Sequence, residues 1–131
     1  VMLIIGESIL SLDGKVNLNN RDIDITSYLE NADINIINQF LVDQFTSGIA
    51  TGELKVRGSL DAPEVVADLN CKNIIYRDFT LDNLSLHSEM KPDSSFPSGF
   101  VNLKMDNGKW NNEKFDNGTL DISFSKERMV V

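Results

Sequence analysis

One cysteine, one histidine and one tryptophan in 131 residues leave little material for the commoner kinds of site chemistry. Cys71 alone can form neither an internal disulfide nor a CxxC pair, and a lone Cys with a lone His cannot build an ordinary zinc site. No Ser-His-Asp or Cys-His set can be completed. Cys71 lies in an alternating apolar run, where a small buried hydrophobe is expected, and nothing marks Ser85 or Ser88 beside His87 as activated. His87 itself falls on the opposite parity from Leu84 and Leu86, at a position expected to face solvent. There is no phosphate-binding glycine loop, no EF-hand loop and no Gly-Gly-x-Gly-x-Asp calcium repeat. Asp22 and Asp24 alternate with Ile23 and Ile25, so the two carboxylates are expected on a solvated strand face. The expectation is a protein that is not an enzyme and needs no cofactor or metal.

Basic residues are scarce as well. Twelve Lys and Arg against twenty Asp and Glu give a net charge of −8, with no basic stripe, so a phosphate backbone is repelled and nucleic acid is not an expected partner. Anionic lipid headgroups are not attracted either, so any dealing with lipid must run through acyl chains. Long apolar runs are also missing. The opening stretch is continuously apolar only over Val1–Ile5, without a basic flank and far short of the roughly 20 residues that span a bilayer. With the apolar finish Met129-Val130-Val131, both ends read as cut from the middle of a longer chain.

What the sequence does have is alternation. Apolar residues of one parity recur as Leu10, Leu12, Val16 and Leu18; Leu54, Val56 and Leu60; Ala67, Leu69 and Cys71; Leu84 and Leu86; Val101, Leu103 and Met105; and Leu120, Ile122 and Phe124. Turn signals fall between them at Leu12-Asp13-Gly14, Asn19-Asn20, Pro92–Ser95 and twice at Asp-Asn-Gly, residues 106–108 and 116–118. Eight to ten short strands with antiparallel neighbours are expected. One segment follows another period: Ile34, Ile37, Leu41 and Phe45, with Phe40 beside them, predict one short amphipathic helix near residues 35–46.

Two segments echo each other at an offset of 34. Asn73 matches Asn107, Tyr76 matches Trp110, Leu81 matches Phe115, Asp82-Asn83 matches Asp116-Asn117 and Leu86 matches Leu120. Many half-apolar strands allow two architectures. Two sheets can bury their apolar faces as a sandwich, or one sheet can curl so that its apolar face lines a groove. The one-parity set is mostly Leu, Ile and Val with small residues interspersed, which suits either.

The stretch Gly52–Met90 carries a resemblance. Gly52, Leu54, Val56, Gly58, Ser59 and Leu60, then Pro63 and Val65, then Asn73-Ile74 and Leu81 with Asn83-Leu84, resemble the recurring segment of the TamB and AsmA-like family of bacterial envelope proteins. Residues 8–90 follow the pattern well; the last third, with Trp110 and the two Asp-Asn-Gly triplets, follows it loosely. The resemblance implies a mainly β fold, an elongated, curled, antiparallel-rich sheet or β-taco, forming a single groove segment over residues 1–131. It implies that the one-parity set above is a lipid-facing wall for phospholipid acyl chains moving between inner and outer membranes. It further implies a periplasmic location, a parent chain anchored in the inner membrane, and contact with an outer-membrane barrel protein through other parts of that chain. The alternative within the same family is a scaffold for outer-membrane protein translocation and assembly that offers sheet edges to client strands. Free edges also predict edge-to-edge self-association of this segment. A self-contained sandwich module for adhesion or carbohydrate is the remaining structural expectation.

Overall fold

In the computed structural model, which describes residues 2–35, 47–92, 97–125 and 129–131, the chain forms one sheet. Its strands are β1 (Met2–Ile5), β2 (Ser8–Asn17), β3 (Asp22–Asp33), β4 (Ser47–Ser59), β5 (Ala62–Tyr76), β6 (Phe79–Lys91), β7 (Ser98–Trp110), β8 (Glu113–Phe124) and β9 (Met129–Val130). They lie side by side in chain order and every neighbouring pair is antiparallel. No second sheet faces it among the described residues, so the sandwich arrangement is set aside.

The turns show why a meander results. Asn17 Oδ1 accepts from the backbone N–H of Asn19 at 3.0 Å and closes the turn after β2. Ser59 Oγ accepts from Asp61 N–H at 3.2 Å after β4. Asn111 and Asn112 both hold positive φ, 50° and 70°, the conformation that matches a two-residue turn to the twist of its strands. Gly58, at φ 105°, sits where a side chain would be strained, directly opposite Pro63. Pro63 has no N–H to give a ladder, and β6 pairs with β5 only from Val65 onward. The turns after β2 and β4 are then fastened together. Arg21 Nη2 and Nε donate to Asp61 Oδ1 and Oδ2 at 2.6 and 2.9 Å, and Leu60 N–H donates to the Arg21 carbonyl at 2.7 Å.

Three expected turns stand differently. Leu12-Asp13-Gly14 lies inside β2, and the triplets at 106–108 and 116–118 lie inside β7 and β8. Asn107 does take positive φ, 52°, but at an irregularity within a strand. The turn expected at Pro92–Ser95 falls outside the described residues apart from Pro92, and the helix expected near 35–46 falls outside them apart from Asn35.

The irregularities of β5 to β8 line up across the sheet, while that of β3 lies one row away, on the other side of Ala32, Ala50 and Cys71. In β3 the register slips between Leu29 and Ala32, and in β5 it slips against β4 between Lys72 and Ile75. Asn31, Asn73 and Asn107 hold φ near 50°. A strict alternation would send Cys71 and Ile74 to opposite faces. Instead both are buried in one cluster with Ala50 and Leu81, packed by Leu84, Met105, Phe115 and Phe79. Two residues rather than one separate the rows on either side: Lys72-Asn73, Asp82-Asn83, Asp106-Asn107 and Asp116-Asn117. Asp106 is held in this polar belt by Asn83 Nδ2, which donates at 3.4 Å, and the Asn117 side-chain amide, with its oxygen and nitrogen exchanged, donates to Oδ1 at 3.0 Å. A bulge bends its strand and increases the local twist. Repeated in register from β5 to β8, the extra residue forms a transverse crease, and the buried core of the described residues sits on it.

Candidate functional site

The register sorts the candidate wall directly, because residues opposite one another on neighbouring strands share a face. Leu3, Leu10, Leu29, Gly52, Leu69, Leu86, Leu103 and Leu120 form one row from β1 to β8. No polar side chain interrupts it. At about 4.8 Å per strand the row is about 34 Å long, close to the roughly 30 Å hydrocarbon thickness of a bilayer.

Parallel rows flank it on the same face. On one side runs Leu12, Ser27, Leu54, Ala67, Ser88, Val101 and Ile122, then Gly14, Ile25, Val56, Val65, Met90, Gly99 and Phe124, then Val16, Ile23, Gly58 and Pro63. On the other side runs Ala32, Ala50, Cys71, Leu84, Met105 and Gly118, bordering the crease. Every candidate wall residue therefore lies on one face except Leu18 and Leu60. Those two sit in the turns after β2 and β4, and Leu18 is 79% exposed, because parity was followed past the end of the strand. Beyond the candidates, the face also takes in Leu3, Ile23, Ile25, Leu29 and Val65, together with Ile74, Leu81 and Phe115 across the crease. The last three were hidden by the skipped residue; the echo at offset 34 was the signal that could have found them.

Exposure on this face is uneven. Leu81 is 2% exposed and Ile74 7%, whereas Leu54 is 42% and Leu12 46%. Burial also pushes the Cys71 thiol above its ordinary pKa, because a thiolate there would lose its solvation.

The opposite face is polar. Ser11, Tyr28, Glu53, Asp68, His87, Asn102 and Asp121 form one row, with Met2 at its β1 end. His87 Nδ1 lies 2.5 Å from Asp68 Oδ1 and its Nε2 3.7 Å from Glu89 Oε1, with the ring against Phe100. Lys55 pairs with Glu53 at 2.8 Å, Asn70 Nδ2 donates to Ser85 Oγ at 3.1 Å, and Asn102 Nδ2 donates to Asp121. A hollow of about 850 Å³ opens along two polar rows, lined by Tyr28, Thr51, Glu53, Asp68, Asn70, Ser85, His87, Asn102 and Lys104, with Leu29, Gly52, Leu69 and Leu86 from the row between them. Its polar side chains are largely engaged with one another across strands. Volume alone would single it out, but its apolar lining, Met2, Ile9, Leu29, Leu69 and Leu86, is interspersed with charged and amide side chains. The apolar wall is the better candidate for lipid. Asp24, expected on the solvated face, lies there opposite Arg57 and pairs with it at 3.4 Å. Among the described residues, no group of three or more His, Cys, Asp or Glu side chains could hold a metal ion.

Fold and site together define a class: an open antiparallel meander, one face a predominantly aliphatic wall and the other polar and charged. The family model described as TamB, N-terminal domain, matches residues 1–127, and the chain belongs to that family. TamB-family proteins are bacterial cell-envelope proteins, working in the context of translocation and assembly or of lipid transport. No curated protein and no solved structure matches the chain.

Proposed function

We propose that the apolar face shelters phospholipid acyl chains during transport through the periplasm between inner and outer membranes, within a parent chain anchored in the inner membrane. The observation that carries this reading is the row from Leu3 to Leu120, leucine on every strand but β4, where Gly52 stands, and without a polar side chain. A chain that must slide needs contact without direction. Each methylene taken from water gains about 0.8 kcal/mol wherever it sits on such a wall, and no hydrogen-bonding group holds it at one place. The net charge of −8 supplies no attraction to anionic headgroups, so the tails carry the affinity.

Native mass spectrometry of the purified chain, with lipid extraction from the same sample, tests the proposal. Co-purifying phospholipid is expected, and Leu103→Glu, which puts a charge within the row on β7, is expected to abolish it while the chain stays folded. Lipid-free protein under gentle conditions would remove the proposal.

Open edges favour a second reading, a scaffold for client strands in outer-membrane protein assembly. β1 covers β2 only from Ser8 to Ser11, leaving the outer edge of Asp13–Asn17 without a neighbouring strand among the described residues. β9 covers only Ser123 and Phe124 of β8. Crosslinks from these edges to a barrel protein, in the absence of bound lipid, would favour that role; crosslinks between two copies would indicate self-association instead.

A further inference from the structure

We infer that the crease divides the apolar face into an open field that carries acyl chains and a sealed margin that they do not enter, with Leu81 and Phe115 as the boundary. The inference rests on the lipid reading above and specifies where on the face the lipid lies.

On the field side, Leu10, Leu12, Val16 and Leu54 are each 40–49% exposed. An acyl chain laid there replaces water at every methylene. On the other side the same kind of side chain is already packed. Ile74 and Leu81 bury against Ala50 and Cys71. The Phe115 ring lies over Gly108 so closely that a Cβ at that glycine would meet it at 1.9 Å, and it stacks on Phe79 with centroids 6.2 Å apart. There is little water for a lipid to displace at this margin, and entry would break existing contacts without a compensating gain.

The extra residue in β5 to β8 explains where the boundary falls. It brings the rows flanking the polar belt into a single cluster, against which Leu29 and Leu69 of the leucine row also rest, rather than leaving them as successive stripes of a flat wall. Four rows remain on the field side. At two residues per row they cover about 20 Å along the strands, while the leucine row runs about 34 Å across them. An acyl chain therefore lies across the strands, parallel to the crease. One running along a strand would meet the packed cluster after a few methylenes.

The test uses the unmodified chain and phosphatidylcholine vesicles doped with a phosphatidylcholine that carries a diazirine near the end of one acyl chain. After illumination, labelled residues are located by peptide mass spectrometry. Label is expected on Leu10, Leu12, Leu54 and neighbouring field residues, about tenfold less on Ile74 and Leu81 in keeping with their smaller exposed area, and an intermediate amount on half-buried Phe115. Comparable label on both sides of the crease would overturn the boundary while leaving the lipid reading intact. Label absent from the apolar face, or confined to the polar face, would overturn both. In Phe115→Ala, label spreading to Ile74 and Leu81 is the expected result, and an unchanged map in the folded variant would remove Phe115 from the boundary.

Discussion

Leu54 and Leu81 are the same residue type on the same face of the same sheet, yet one is 42% exposed and the other 2%. The difference does not come from a second layer seen among the described residues. It accompanies the extra residue between rows in each strand from β5 to β8. Where alternation is regular the wall stays open, and where it skips the wall packs on itself and becomes core. A single sheet can thus supply its own stability in one region and leave another free for a ligand.

The comparison is tested most strongly by truncation. Leu81→Ala is expected to cost about 2–5 kcal/mol, whereas Leu54→Ala, which leaves no cavity, is expected to cost less than about 1 kcal/mol. Urea midpoints at constant slope measure both, and equal losses would break the distinction. Next comes Gly108→Ala, whose methyl group would collide with the Phe115 ring. A loss of about 1–3 kcal/mol is expected, and adding Phe115→Ala should recover part of it if the clash is the cause. At the crease itself, Asn73→Ala is expected to cost about 1 kcal/mol because φ 53° suits Asn better than Ala, with Asn73→Gly tolerated. Thermal unfolding separates these two variants; equal behaviour would mean the left-handed conformation is not what Asn73 supplies.

The smallest effect is expected at the far end of the field, at Asp61. Its hydrogen bonds from Arg21, and then the charge of that guanidinium, hold the carboxyl below its ordinary pKa. A depressed folded pKa adds stability above the unfolded value, about 3.9, and loses it as pH falls through the folded one. Both partners are exposed, so Asp61→Asn should shift stability only slightly at neutral pH, with the gap to the parent closing in acid. A gap that widens on acidification would show the sign to be wrong.

Most of the wall was legible because strand parity is a local property. Leu10, Leu69, Leu86 and Leu103 can be assigned to one face without knowing which strands are neighbours. The crease was not legible for the opposite reason. Asp-Asn-Gly signals a left-handed backbone, but a hairpin turn and a bulge both use one. What decides between them is whether the chain reverses there, and that depends on the flanking strand to which β7 or β8 is paired. Leu18 and Leu60 fail for a simpler reason, since parity does not announce where a strand stops. Gly108 would be read in isolation as punctuation; only the Phe115 ring above it gives it a packing role.

The strict neighbour order of the nine strands has a consequence for how such a molecule changes length. Each strand bonds only to those before and after it, as in a linear array whose units interact with nearest neighbours alone. Duplicating or deleting one antiparallel hairpin therefore requires no rewiring elsewhere. Each hairpin gained moves the far edge by two strand spacings, about 9.6 Å. The matched hairpins β5–β6 and β7–β8 have the spacing such a copying event would leave, so the width of the sheet can be set by the number of hairpins and not by the invention of new folds.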